Sequence, residues 1–146
     1  MAVDTITKPS LTIKRHLKAP PAAVFAAWTD AQKMMRWMGP AGFVGHHAEC
    51  DPRPGGHYRW MMKSPDGEDH NVGGVYREVV ANQKLVFTWA WQSTPERESL
   101  VTVLLKSDGD GTLLTLIHEQ LFDDATRDSH QRGWNGVLDK LEKLFS

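Results

Sequence analysis

Two side chains in the segment 43–51 are candidates for acid–base chemistry or metal binding. His47 and Glu49 are two residues apart, so a β-strand would place them on one face, together with Asp51. An imidazole and a carboxylate at this spacing could exchange a proton or supply two ligands to a metal ion. Metal sites normally have three or four ligands, so we predict no metal site and favour ion pairs between the carboxylates and arginines on neighbouring strands. The pattern leaves open which face points inward. The opposite face carries His46, Ala48 and Cys50.

His118 is the best single candidate for a polar group in an apolar pocket. It is in phase with Leu114 and Leu116, so strand alternation carries it toward the interior. Two interpretations stay open. The imidazole could orient a ligand in the pocket, or it could be a core histidine that a backbone carbonyl satisfies.

Arg15 shares its strand phase with Leu11, Ile13 and Leu17. Its guanidinium could meet an anionic group of a ligand or a buried carboxylate. We favour a second interpretation, in which its aliphatic stem crosses the apolar face and its charge reaches water near the end of the strand.

Six tryptophans in 146 residues are more than a small core needs. Each indole is large and carries an N–H that requires a partner when it is buried. Core packing explains any one of them, whereas the group favours a concave apolar surface between a sheet and a helix that holds a small molecule. The predicted ligand-binding residues are Trp37, Trp60, Tyr76, Phe87, Trp89, His118 and Trp134.

Nucleophilic and phosphate-binding motifs are absent from the sequence. Cys50 is the only cysteine, and we predict an inert, buried thiol. The glycine pairs at 55–56 and 73–74 lack the spacing of a phosphate-binding loop, and there is no Gly-x-Ser-x-Gly turn. Catalytic residues therefore stay unknown, we expect no cofactor, and a protein that is not an enzyme is favoured.

The composition is that of a globular domain. The formal net charge is −1 with lysines and arginines scattered, which argues against nucleic-acid binding. A single cysteine favours a reducing compartment. No apolar run approaches the roughly 20 residues of a membrane span, and residues 1–9 lack the apolar core of a signal peptide. We therefore expect a cytoplasmic protein without a membrane span.

The periodicity of apolar residues changes after Glu119. The strand segments before it alternate with period 2, and after it Trp134, Val137, Leu138 and Leu141 recur with helical spacing. Turn-length connections between the strands predict an antiparallel sheet of six or seven strands, and thus an α+β domain over 10–146 behind a loose tail at 1–9. The predicted strands cover 11–17, 43–51, 57–62, 70–79, 84–92, 99–106 and 112–119. Two short helices, one opened by Pro21 and one capped by Asp30, follow the first strand, and a long helix covers 124–145.

Several strings, taken in order, resemble a known family. They are Trp37-Met38-Gly39-Pro40, the segment 51–56 with Tyr58 and Trp60, Gly74-Val75-Tyr76 followed by Leu85 to Trp89, Leu116 to Glu119, and Gly133-Trp134. The set is similar to bacterial proteins related to the C-terminal part of the activator of the heat-shock-protein-90 ATPase, within the START-like (SRPBCC) superfamily. Many relatives have a second tryptophan where this chain has Met38, and a flexible thioether there would soften one end of a cavity.

This resemblance implies a helix-grip fold, in which a curved sheet surrounds the long C-terminal helix and leaves a hydrophobic cavity. In the superfamily such cavities bind lipids, polyketides or hormones, and some members catalyse reactions. The resemblance covers only part of the eukaryotic activator, so a chaperone role does not transfer with it. We therefore expect an apolar small-molecule binder. The alternatives are an enzyme that uses His118 or the His47/Glu49 pair as acid–base groups, and a protein-interaction module with a chaperone or a second copy as partner.

Overall fold

The computed structural model describes residues 8–146, so the predicted tail at 1–9 lies largely outside the described residues. Seven strands form one sheet, and three helices accompany it. The strands are β1 (Leu11–Leu17), β2 (Val44–Cys50), β3 (His57–Lys63), β4 (Asp69–Val80), β5 (Lys84–Trp91), β6 (Ser99–Asp108) and β7 (Gly111–Glu119). The helices are α1 (Pro21–Thr29), α2 (Ala31–Met34) and α3 (Asp124–Leu144).

The sheet is antiparallel throughout, with the strand order β1-β7-β6-β5-β4-β3-β2. Consecutive strands from β2 to β7 are therefore joined as hairpins. The first strand, β1, lies at one edge of the sheet beside β7, and β2 lies at the other edge. The long sheet curls into a half-barrel around α3. This confirms the predicted α+β helix-grip architecture.

Alternation along each strand puts one set of side chains on the concave face. On β3 the buried positions are Tyr58, Trp60 and Met62, whereas Arg59 between them is exposed. The same period places Phe87 and Trp89 of β5 in the core. These side chains meet on the concave face, where the Tyr58 and Phe87 ring centroids are 5.1 Å apart, and they form one apolar layer.

The residues at their N-termini determine where the two short helices begin. Pro21 opens α1, where a missing N–H costs nothing. The Asp30 carboxylate then accepts hydrogen bonds from the backbone N–H groups of Gln32 and Lys33 at 2.9 and 3.2 Å, as its predicted capping role requires.

Helix α3 packs its apolar stripe against the concave face of the sheet. Trp134, Val137, Leu138 and Leu141 are all buried, as the helical spacing predicts. At Gly136, a Cβ atom would lie 2.7 Å from the backbone nitrogen of Ala41, so the helix approaches the loop after α2 as closely as a glycine allows.

The sheet departs from simple alternation at β2. Ala48 points inward, and His47 and Glu49 point to solvent. The pairing of β2 with β3 shifts register between Gly45 and His47, so His46 lies in a bulge and is exposed. The expectation that His46 shares a face with Ala48 was wrong, because the bulge inserts an extra residue into the alternation.

Within residues 8–146, none of the helices combines the length and the apolar composition that crossing a bilayer requires.

Candidate ligand-binding site

A pocket of about 260 Å³ lies between the sheet and the first half of α3, and it opens to solvent. Its floor is formed by Trp60 and Met62 of β3 and by Trp89 and Trp91 of β5. Helix α3 contributes His130, Gly133, Trp134 and Val137 to the opposite wall. The loop after α2 closes one side with Gly39, Pro40 and Phe43, and His70, Ser93 and Ser129 complete the lining.

The closing loop is tied to α3 by Lys140. Its ammonium donates hydrogen bonds to the backbone carbonyls of Phe43 at 2.9 Å and Met38 at 3.5 Å. Burial lowers the pKa of this amine. The tie holds the Gly39-Pro40 turn beside the helix, which gives the pocket a fixed rim.

Three indoles form the aromatic wall of the pocket. The rings of Trp89 and Trp134 lie 4.9 Å apart between centroids, and Trp60 meets Trp89 edge-on at 5.4 Å. Edge-to-face and tilted contacts at these distances are favourable arrangements of aromatic rings. The three rings therefore pack against one another in the wall of the pocket.

His130 is the polar centre of the pocket. Its Nδ1–H donates to the carbonyl of Thr126 at 2.8 Å, one turn earlier in α3, so Nε2 is an acceptor. That single nitrogen receives the indole N–H of Trp91 at 3.0 Å and that of Trp89 at 3.4 Å. Burial lowers the pKa of His130, and the hydrogen bond to Thr126 opposes this shift in part. The imidazole is thus neutral near physiological pH.

His118 is fully buried behind the aromatic wall and does not line the pocket. The Trp134 indole donates to its Nδ1 at 3.0 Å, so the ring proton lies on Nε2, which donates to Ser99 Oγ at 2.7 Å. The Ser99 hydroxyl in turn donates to the Trp89 carbonyl at 3.2 Å. Burial, with a smaller contribution from His130, holds the pKa of His118 well below its ordinary value. Both nitrogens are engaged, which corresponds to the satisfied core histidine, with an indole and a hydroxyl in place of the expected carbonyl.

The seven predicted ligand-binding residues divide into three groups. Trp60, Trp89 and Trp134 line the pocket. Tyr76 and Phe87 instead line a small inner void of about 10 Å³ behind Trp60. The remaining two, Trp37 and His118, are packed in the core, where the Trp37 N–H donates to the Ala27 carbonyl at 3.1 Å. The role of all seven in binding stays a prediction.

The other candidates for chemistry lie away from the pocket. His47 Nε2 and Glu49 Oε2 are 3.1 Å apart on the solvent face of β2, and no group of three metal-ligating side chains occurs within the described part of the chain. Arg15 crosses to α3, where it donates to Asp139 at 2.8 Å and Glu142 at 3.2 Å. Both carboxylates are partly exposed, so Arg15 joins strand to helix at the surface.

Cys50 contacts the core through its sulfur. Sγ lies 3.0 Å from the Tyr76 hydroxyl, and burial raises the pKa of the thiol. This agrees with the inert thiol that the sequence predicts.

A wider depression of about 570 Å³ lies over strands β3 to β5 and includes Glu49, Arg59 and Glu98 in its lining. The charged side chains in its lining make it a poor site for an apolar ligand.

His130 was not among the residues predicted from the sequence. The residue stands in a polar stretch, Asp128-Ser129-His130-Gln131, that carries no apolar signal. Its position four residues before Trp134 was the available signal, because residues i and i+4 of a helix share one face.

The fold and the pocket define a START-like helix-grip protein, the class that the motifs resemble. The family model of Activator of Hsp90 ATPase homolog 1-like proteins matches residues 18–146, and the chain belongs to this family. Among curated proteins, none is similar enough to count as a match.

Solved structures of bacterial proteins share this architecture. Protein CV1439 from Chromobacterium violaceum is 28% identical, with a TM-score of 0.84 over 94% of this chain and 97% of its own. The AHSA1 protein from Silicibacter pomeroyi is 30% identical, with a TM-score of 0.82 over 92% of this chain and 96% of its own. The similarity therefore covers nearly the whole length of both proteins.

Proposed function

We propose that the protein binds an apolar, aromatic or lipid-like small molecule in the pocket between the sheet and α3. The observation that carries this proposal is the pocket itself, because four indoles and a methionine line a space of about 260 Å³ that is open to solvent. Small-molecule sites are concave and mostly apolar, with a few convergent polar groups, and here His130 supplies such a group.

The size of the pocket limits the ligand. Its volume equals that of about nine water molecules at liquid density, which suits one to three fused rings or a short acyl chain. Burial of apolar surface contributes roughly 25 cal/mol per Å², so 200 Å² of buried ligand surface would contribute about 5 kcal/mol before the cost of association. A contribution of about 5 kcal/mol corresponds to a dissociation constant of about 0.2 mM, so we expect affinities of roughly this order or weaker.

The hydrogen bonds of His118 and His130 favour binding over acid–base catalysis. His118 and His130 each have both ring nitrogens engaged in hydrogen bonds within the protein. A general base must offer a nitrogen to a substrate proton, and neither ring does so in this arrangement. His47 and Glu49 lie 3.1 Å apart on an exposed strand face, and neither of them lines this pocket.

The test is a titration with 1-(N-phenylamino)naphthalene, a neutral dye that accepts excitation energy from tryptophan. We expect saturable energy transfer in the wild-type protein and a large loss of affinity in Ser129→Phe, which places a ring at the pocket mouth. Gln131→Phe is the matched control, because Gln131 is exposed on the same helix and does not line the pocket.

Equal binding by Ser129→Phe and Gln131→Phe would place the dye elsewhere and contradict the proposal. No saturable binding by the wild type would leave the protein-interaction alternative, with a chaperone or a second copy of the chain as partner. A cytoplasmic location stays a prediction from the single cysteine.

A further inference from the structure

The indole donors of the pocket residues outnumber the acceptors that they reach. Trp60, Trp89 and Trp91 line the pocket, and each indole has one N–H donor and no acceptor of its own. Among their partners in residues 8–146, only the Nε2 lone pair of His130 accepts, and the Trp60 nitrogen has no partner at all.

Two of these donors compete for one lone pair. The neutral imidazole has a single acceptor position, because Nδ1 carries the proton that is donated to Thr126. Trp91 takes that position at 3.0 Å, so Trp89 at 3.4 Å is left with the longer and weaker contact. A donor that is only partly satisfied inside an apolar pocket gains from an acceptor that a ligand brings.

The lack of charged side chains in the pocket lining, among the described residues, favours a neutral acceptor on the ligand. The lining consists of apolar and aromatic side chains, hydroxyls and imidazoles. A carboxylate would lose its hydration there without gaining a cationic partner, whereas a carbonyl oxygen can accept a hydrogen bond at a much smaller desolvation cost.

We infer that the ligand is a neutral molecule with a carbonyl oxygen, and that the Trp89 indole N–H donates to this oxygen beside His130. The inference rests on the proposed function, since it names the chemistry of the ligand that this pocket would hold. Trp89 would thereby determine specificity, while the rest of the aromatic wall supplies affinity through burial.

The test compares 9-fluorenone with fluorene, two planar molecules of the same skeleton that differ by a carbonyl and a methylene. Burial alone favours fluorene, the more apolar of the two. One added hydrogen bond should reverse this order, so that the wild-type protein binds 9-fluorenone about 3- to 10-fold more tightly. Fluorene-9-carboxylate, the anionic probe, should bind more weakly than either.

Two variants should move this preference in opposite directions. Trp89→Phe removes the donor and should bring the two affinities to parity or favour fluorene. His130→Phe removes the competing acceptor and should increase the preference for 9-fluorenone, because both indole N–H groups are then free to donate. In the wild-type protein, the ¹⁵N-bound indole proton of Trp89 should shift downfield with 9-fluorenone and not with fluorene, a readout that does not require either variant to fold.

Three results would overturn the inference while leaving the proposed function intact. They are tighter binding of fluorene by the wild type, an unchanged preference in Trp89→Phe, and loss of the preference in His130→Phe. Tightest binding of the carboxylate would overturn the claim that the ligand is neutral. Failure of both neutral probes to bind would instead overturn the proposed function, and this inference with it.

Discussion

Acidification should destabilise the fold through His118. The unfolded chain exposes this imidazole to water, where its pKa is about 6.5. In the folded protein burial lowers the pKa well below that value, and the indole of Trp134 occupies the nitrogen that would have to accept the proton. The folded protein therefore favours the neutral imidazole, and protonation of His118 favours unfolding.

The sign and size of the effect follow from linkage. Below pH 6.5 the unfolded state binds a proton that the folded state does not bind, so stability falls as pH falls. The loss begins near pH 6.5 and continues until the lowered pKa of the folded protein is reached. Between about pH 7.5 and about pH 5, one histidine that stays neutral in the fold costs about 2 kcal/mol of stability.

The assay is urea denaturation at both pH values for the wild type and His118→Gln. A glutamine amide can both accept from Trp134 and donate to Ser99, and it does not titrate. The variant retains His130 and every other titratable group, so the difference between the two proteins isolates His118. We expect the wild type to lose about 2 kcal/mol more than the variant on acidification, a shift in midpoint of about 1 M urea. Equal losses in the two proteins would refute the assignment of His118 as a buried neutral imidazole.

Four further substitutions test the packing. Gly136→Ala should destabilise the protein by about 1–3 kcal/mol, because its Cβ would lie 2.7 Å from the Ala41 backbone nitrogen. Gly133→Ala has 3.6 Å of clearance from the same loop and should be neutral or stabilise α3 by up to about 1 kcal/mol. Thermal denaturation that ranks the two variants in the reverse order would contradict this expectation. Trp134→Ala should cost about 3–5 kcal/mol, since the indole is 3% exposed, and a loss below 1 kcal/mol in chemical denaturation would show that it only borders the pocket. Arg15→Met should cost about 1 kcal/mol or less, because its carboxylate partners are partly exposed, and a larger loss that persists at high salt would disagree with a surface ion pair.

The sequence predicted the elements of the fold more completely than the site. The change of period after Glu119 was sufficient to locate α3 to within one residue of its end, and the alternating segments located all seven strands. The bulge at His46 was not predictable, because a single inserted residue leaves no mark on a short pattern whose two faces are similar in polarity.

The site was predicted only in outline because a strand pattern specifies a face and not a depth. Trp60, Phe87 and Trp89 all share the concave face, yet Phe87 packs behind the wall and the two tryptophans line the pocket. His118 likewise points inward as its phase requires, but the distance between sheet and helix leaves it buried under Trp134. These distinctions depend on how side chains from distant segments fill one space, which no local pattern contains.

The most direct test of ligand binding in this pocket is a ¹⁵N–¹H spectrum of the six indole N–H groups, assigned by Trp→Phe variants and recorded during titration with 9-fluorenone. The pocket is lined by Trp60, Trp89, Trp91 and Trp134, whereas Trp28 and Trp37 are buried on the far side of this wall, outside the lining. We predict saturable shifts in the first four signals, with those of Trp28 and Trp37 nearly unchanged. Shifts confined to Trp28 and Trp37, or no saturable shift in any indole, would contradict a ligand site between the sheet and α3.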